Sequence, residues 1–182
     1  MIMQANTNNM MRRINDEHVI LVNTGELHSG DKDVVLKSSP IGSCVVVVLF
    51  DYQSFAGAVA HIMLPGFAPE KNNIVTAKYA GNAIESMIMQ IVALGVKKEN
   101  LKAVIVGGGN VLKRKGDTIG AQNIASVVDL LHKQDIPILK SSVGGTNRKS
   151  VRFDLQKRII YYTEGDSNEM ILFNITHENL KT

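Results

Sequence analysis

Only two stretches of this chain carry a helical hydrophobic period, and that limits its architecture more than any other feature. Between residues 75 and 94, Ala80, Ala83, Ile84, Met87, Ile88, Ile91 and Leu94 fall three or four apart, the spacing of one amphipathic helix face. Gly95 is placed to end that helix in a left-handed conformation. A second helix is predicted over 118–133, with Ile124, Val127, Val128 and Leu131 on its inner face. The other apolar residues come in short β-rich runs: HVILVNTG, VVLKS, VVVVLF, FAGAVAH, LKAVIV, IPILKSSV, KSVRFDL and RIIYYT. MILFNI, residues 170–175, predicts a further strand or a docking segment, while SGDKD, LPGFAPEKNN and GGTN are turn and loop chemistry. Two helices suffice to cover one face of a sheet, so the remaining strands must bury their apolar sides against one another. The expected fold is α+β, a layered sandwich of mixed β-sheets with two main helices packed on one face.

A length of 182 residues fits one domain with a sizeable core. We place it at 18–163, after a polar, Asn-rich leader at 1–17 expected to be mobile and before a tail at 164–182. Net charge is only +3, and the short basic patches at 97–98, 113–115 and 148–149 are scattered and poor in aromatics. They read as solvated faces and loop tips, not as a nucleic-acid surface. The single cysteine allows no internal disulfide, and the leader lacks the apolar core of a signal peptide. No apolar run approaches the roughly 18 to 20 residues that span a bilayer, so no membrane insertion and a cytoplasmic location are expected.

That one cysteine, Cys44, stands at the mouth of VVVVLF, and His61 closes the next apolar run seventeen residues on. The segment DYQS between them predicts a hairpin with a four-residue loop. Pairing Phe50 with Phe55 then sets Cys44 opposite His61 on one face, with Cβ atoms about 4.5 to 5.5 Å apart. On the other face, Val45, Val47 and Leu49 meet Ala60, Ala58 and Ala56, large against small, as a closely packed helix would favour. Gly42 and Ser43 leave room beside the thiol for a substrate and for backbone N–H groups aimed at an oxyanion. The bend at Pro40 could return Ser38 or Ser39 to the imidazole as an orienting hydroxyl. A cysteine in a valine-rich strand is also ordinary core filler, and the hairpin alone leaves both readings open.

The run SSPIGSCV, then LFD, then GAVAHIMLP, resembles the CheD family of bacterial chemotaxis proteins, chemoreceptor glutamine deamidases. VIVGGGNV, IGAQNI and SVGGTNRKSVRFD agree further along, so the likeness runs from about residue 18 to 163. The resemblance implies a cysteine hydrolase that converts receptor glutamines to glutamate through a thioester, with no metal or organic cofactor. It makes Cys44 the nucleophile and His61 the base. The family's third member, a threonine six residues before the cysteine, falls on Ser38, which keeps the hydroxyl and loses the methyl. The implied partners are the cytoplasmic domains of methyl-accepting chemoreceptors, as substrate, and a CheC-type phosphatase. The fold implied is that of the cytotoxic necrotizing factor catalytic domain.

Competing readings are weaker. The glycines at 107–109 have no following Gly-Lys-Ser/Thr and predict a tight turn, not a phosphate cradle. Cys44, His61, His28 and His132 show no zinc-ligand spacing. The serious rival is a binding module that docks the phosphatase or receptors with little catalysis.

Overall fold

A computed structural model describes residues 18–69 and 77–178. Ten strands run in chain order as β1 (His18–Val22), β2 (Leu27–Gly30), β3 (Val34–Ser38), β4 (Val45–Phe50), β5 (Gly57–Ile62), β6 (Lys102–Gly107), β7 (Ile138–Val143), β8 (Lys149–Asp154), β9 (Ile159–Glu164) and β10 (Met170–Asn174). Helix α1 (Ala80–Ala93) lies between β5 and β6, and α2 (Ile119–Lys133) between β6 and β7. The strands form two five-stranded sheets, β1-β3-β8-β9-β10 and β2-β5-β4-β6-β7. Each mixes parallel and antiparallel pairs. The expected α+β layered sandwich is therefore the fold found.

Its three layers follow from the faces of β4 and β5, whose residues are all buried. Val45, Val47, Leu49, Ala58, Ala60 and Ile62 pack with Ala83, Ile84, Met87, Ile91, Val127 and Leu131 of the helices. Val46, Val48, Phe50 and Val59 pack instead with Leu36, Val151, Phe153, Ile160 and Phe173 of the other sheet. The alternation of side chains along a strand makes this division. β-Branched valines suit a strand covered on both sides.

Several expectations need correction. β4 and β5 pair as Val45↔Ile62, Val46↔His61 and Phe50↔Gly57, two residues away from the predicted register. The loop is longer because Asp51 Oδ1 accepts the Gln53 N–H at 3.1 Å and Ser54 Oγ accepts the Ala56 N–H at 3.2 Å. These side-chain turns keep Phe55 and Ala56 out of the strand. An even shift preserves the faces, so Cys44 and His61 stay on one side but become diagonal neighbours. The sequence carries no strand signal at β2: LHSG has no apolar alternation, and it is an edge strand paired to β5. Helix α1 begins at Ala80, after an extended Tyr79. In α2 the buried stripe is Gly120, Asn123, Val127 and Leu131, with Ile124 partly buried, while Val128 is exposed. MILFNI supplies β10, antiparallel to β9. The leader, residues 70–73 of the predicted loop, and residues 75–76 at the predicted start of the first helix lie outside the described residues.

Candidate functional site

One end of the sandwich gathers the polar groups. β3 ends at Ser38 in one sheet and β4 begins at Val45 in the other, so residues 39–44 are the crossing between layers. The crossing is anchored midway, where Ile41 and Lys149 exchange backbone hydrogen bonds of 2.7 and 3.1 Å. It then runs beside the glycine turn after β6. Gly109 N–H donates to the Gly42 carbonyl at 2.9 Å, and Gly108 N–H to the Cys44 carbonyl at 2.6 Å. Gly107, at φ +118°, admits no side chain: a Cβ there would stand 2.4 Å from the Cys44 carbonyl oxygen. The predicted tight turn is thus the backing of the cysteine segment. Among the described residues, the N–H groups of Gly42 and Ser43 make no hydrogen bond, and that of Cys44 meets only its own thiol.

Cys44 is partly exposed and packs at the rim of the layer between the sheets. Burial raises its thiol above the ordinary value, with its own backbone N–H pulling the other way. His61 is fully buried on the same face of the sheet. Its main chain is tied by the turn before β2: Gly25 N–H donates to the His61 carbonyl at 2.7 Å, and His61 N–H donates to Glu26 at 2.9 Å. Its ring reaches across to the other sheet, where Ser39 Oγ lies 3.2 Å from Nδ1. Burial lowers the imidazole below its ordinary 6.5, and the Val22 carbonyl opposes that shift. Nε2 is buried and has no hydrogen-bond partner among the described residues.

The two serines after β3 therefore divide their work. Ser38, expected at the imidazole, instead accepts the Val151 N–H at 2.9 Å with its buried hydroxyl. Ser39 takes the place at Nδ1. The reason is alternation: a chain leaving a strand sends adjacent side chains to opposite sides. The motif match alone points to Ser38, whereas the Pro40 bend admits either serine. Cys44 and His61 are brought to one face with a diagonal offset, for which about 7–8 Å between backbone positions is usual and within reach of a histidine ring. No hydrogen bond joins sulfur to ring in this arrangement.

A groove of about 370 Å³ is lined by Pro40, Ile41, Gly42 and Ser43, the residues just before Cys44 in the chain, together with Val111, Leu112 and Arg148 among others; Cys44 and His61 are not in its lining. Among the described residues, no three His, Cys, Asp or Glu side chains cluster as metal ligands, and no helix is long and apolar enough to cross a membrane.

Comparison with known proteins bears on this end of the molecule. The family model described as CheD chemotactic sensory transduction matches residues 63–163, beginning just past His61. Similarity to individual relatives covers more of the chain. A protein of Chlorobium luteolum named probable chemoreceptor glutamine deamidase CheD is 33% identical over 162 residues, covering 89% of this chain and 81% of its own length. The chemoreceptor glutamine deamidase CheD of Halalkalibacterium halodurans is 33% identical, with 75% and 87% covered. That of Thermotoga maritima is also 33% identical, with 67% and 76% covered.

Proposed function

The chain belongs to the CheD family, and from that membership we propose that it hydrolyses chemoreceptor glutamine side chains to glutamate, with Cys44 as nucleophile and His61 as base. The observation that carries the residue assignment is the state of His61. Its ring is anchored at Nδ1 by Ser39, while Nε2 has no partner among the described residues, on the face that bears the only thiol. An imidazole with one nitrogen held and the other free is oriented to take a proton.

With the thiol raised and the imidazole lowered, both groups are neutral near pH 7. The reaction therefore starts from a thiol and a base, not from a preformed ion pair. For Nε2 to accept, the ring proton sits on Nδ1 and is donated to Ser39 Oγ. Sulfur attacks the glutamine amide carbon as its proton passes to Nε2. The N–H groups of Ser43 and Cys44, neither bonded to another described residue, are the donors at hand for the oxyanion. The imidazolium returns the proton to the departing nitrogen, and ammonia leaves a thioester on Cys44. Water, deprotonated by the same nitrogen, adds to the thioester carbonyl, and the thiolate departs and is reprotonated. The net change is glutamine plus water to glutamate plus ammonia.

The test is ammonia release from a receptor cytoplasmic fragment. We expect release by wild type and none by Cys44→Ala or His61→Ala. Equal release by wild type and Cys44→Ala would end the assignment of the nucleophile.

A further inference from the structure

Asn123 is the one polar side chain in the buried stripe of α2, between Gly120 and Val127, and it is fully buried. Its Nδ2 donates twice, to the Ser43 carbonyl at 3.0 Å and to the Met63 carbonyl at 2.9 Å. Ser43 precedes the thiol, and Met63 lies two residues past the imidazole. The ladder between β4 and β5 stops at Val45↔Ile62, so this amide links the two segments just beyond their last pair. Its orientation is forced, because the flipped amide would set an oxygen against two carbonyl oxygens. Oδ1 is then left buried with no partner among the described residues. Such an orphan costs stability, and an apolar residue in the stripe would avoid it.

The compensation lies in the row of carbonyls before β4. Gly42 is bonded by Gly109 N–H, Ser43 by Asn123 and Cys44 by Gly108 N–H, so three successive oxygens are all held. The middle donor is the only one supplied by a side chain. A trans peptide is planar, with its C=O and N–H pointing opposite ways, and the chain contains no cis bond among the described residues. Holding the Ser43 oxygen toward α2 therefore aims the Cys44 N–H away from α2.

We propose that Asn123 is a positioning residue for the deamidation: it fixes the Ser43–Cys44 peptide so that the Cys44 N–H serves the oxyanion, and it ties that peptide to the strand carrying His61. This rests on the thiol–imidazole reading above.

The test compares Asn123→Ala with Val127→Ala, a truncation in the same buried stripe that leaves the amide intact. Asn123→Ala should lower kcat about 100-fold, the scale of losing one oxyanion donor, with KM within about twofold. Val127→Ala should lower Tm while leaving kcat within about twofold. Equal kcat losses in the two variants, or no loss in Asn123→Ala, would overturn the proposal. A second readout needs no substrate. In wild type, His61→Ala should slow iodoacetamide alkylation of Cys44, and in the Asn123→Ala background the same change should have little effect. Unchanged coupling would count against Asn123 even if no receptor fragment were deamidated, which keeps this proposal separable from the proposed reaction. If Asn123→Ala does not fold, NMR of the wild-type protein decides: slowly exchanging Asn123 Nδ2 protons are expected, and rapid exchange would contradict the double hydrogen bond.

Discussion

The two ends of the β4–β5 hairpin are built from the same strands and do opposite things. At the turn end, Phe50 meets Tyr52, Phe153 and Phe173 with ring centroids 5.9, 6.4 and 5.5 Å away. Arg158 reaches over Phe55 and donates to the carbonyl of Tyr52. At the open end small and polar side chains gather beside Ile41 and Ile62: Ser39, Gly42, Ser43, Cys44, His61 and Asn123. There the ladder ends, and hydrogen bonds from glycine N–H groups and one amide take over. The contrast shows how a sandwich keeps a buried imidazole with a free nitrogen. Of the buried polar atoms without a partner among the described residues, His61 Nε2 and Asn123 Oδ1 lie at the open end and Arg158 Nε lies at the turn end, within the apolar packing.

Substitutions should separate the two ends. Cys44→Ala should lower kcat about 10⁴-fold or more, since the nucleophile has no substitute, and shift stability by less than about 1 kcal/mol. Stopped assays and thermal melts on one preparation measure both. Phe50→Ala should do the reverse, costing about 3–5 kcal/mol by denaturant titration while the folded fraction keeps its kcat. A large kcat loss in folded Phe50→Ala would mean that the ends are not independent.

The paired serines sharpen the comparison at finer scale. Ser39→Ala should lower kcat about tenfold, because the ring loses its partner at Nδ1. Ser38→Ala should cost about 1–3 kcal/mol, because it strands the buried Val151 N–H, and leave kcat near wild type. The opposite pattern would restore Ser38 as the orienting residue.

The smallest effect is on pH dependence. Burial holds the His61 imidazole below its ordinary 6.5, so just under that value the unfolded chain binds more protons than the folded one. Stability therefore rises with pH across that window, and it is lost as pH falls through the lowered value. Wild-type Tm should climb more steeply than that of His61→Gln between about pH 5 and 6.5. Parallel curves would place the imidazole in a solvated setting.

The layers were legible in the sequence because hydrophobic period carries them. Val45, Val47 and Leu49 announce one face and the valines between them the other. What escaped were features set by single polar contacts. Asp51 and Ser54 lengthened the turn and moved the register by two residues, which no apolar pattern encodes. β2 is too short and too polar to show alternation. Asn123 left a visible sign, a polar residue on the inner stripe of a helix, but its partners are carbonyls, which a sequence does not display. The choice between Ser38 and Ser39 turned on which side of the chain each faces where β3 ends.

Thiol chemistry at the open end carries the proposed function. Its most direct measurement is peptide mass spectrometry of a receptor cytoplasmic fragment after incubation with wild type or Cys44→Ala. Glutamate should replace glutamine at discrete positions with wild type, and every glutamine should survive Cys44→Ala. Glutamate at the same positions with both proteins would contradict it.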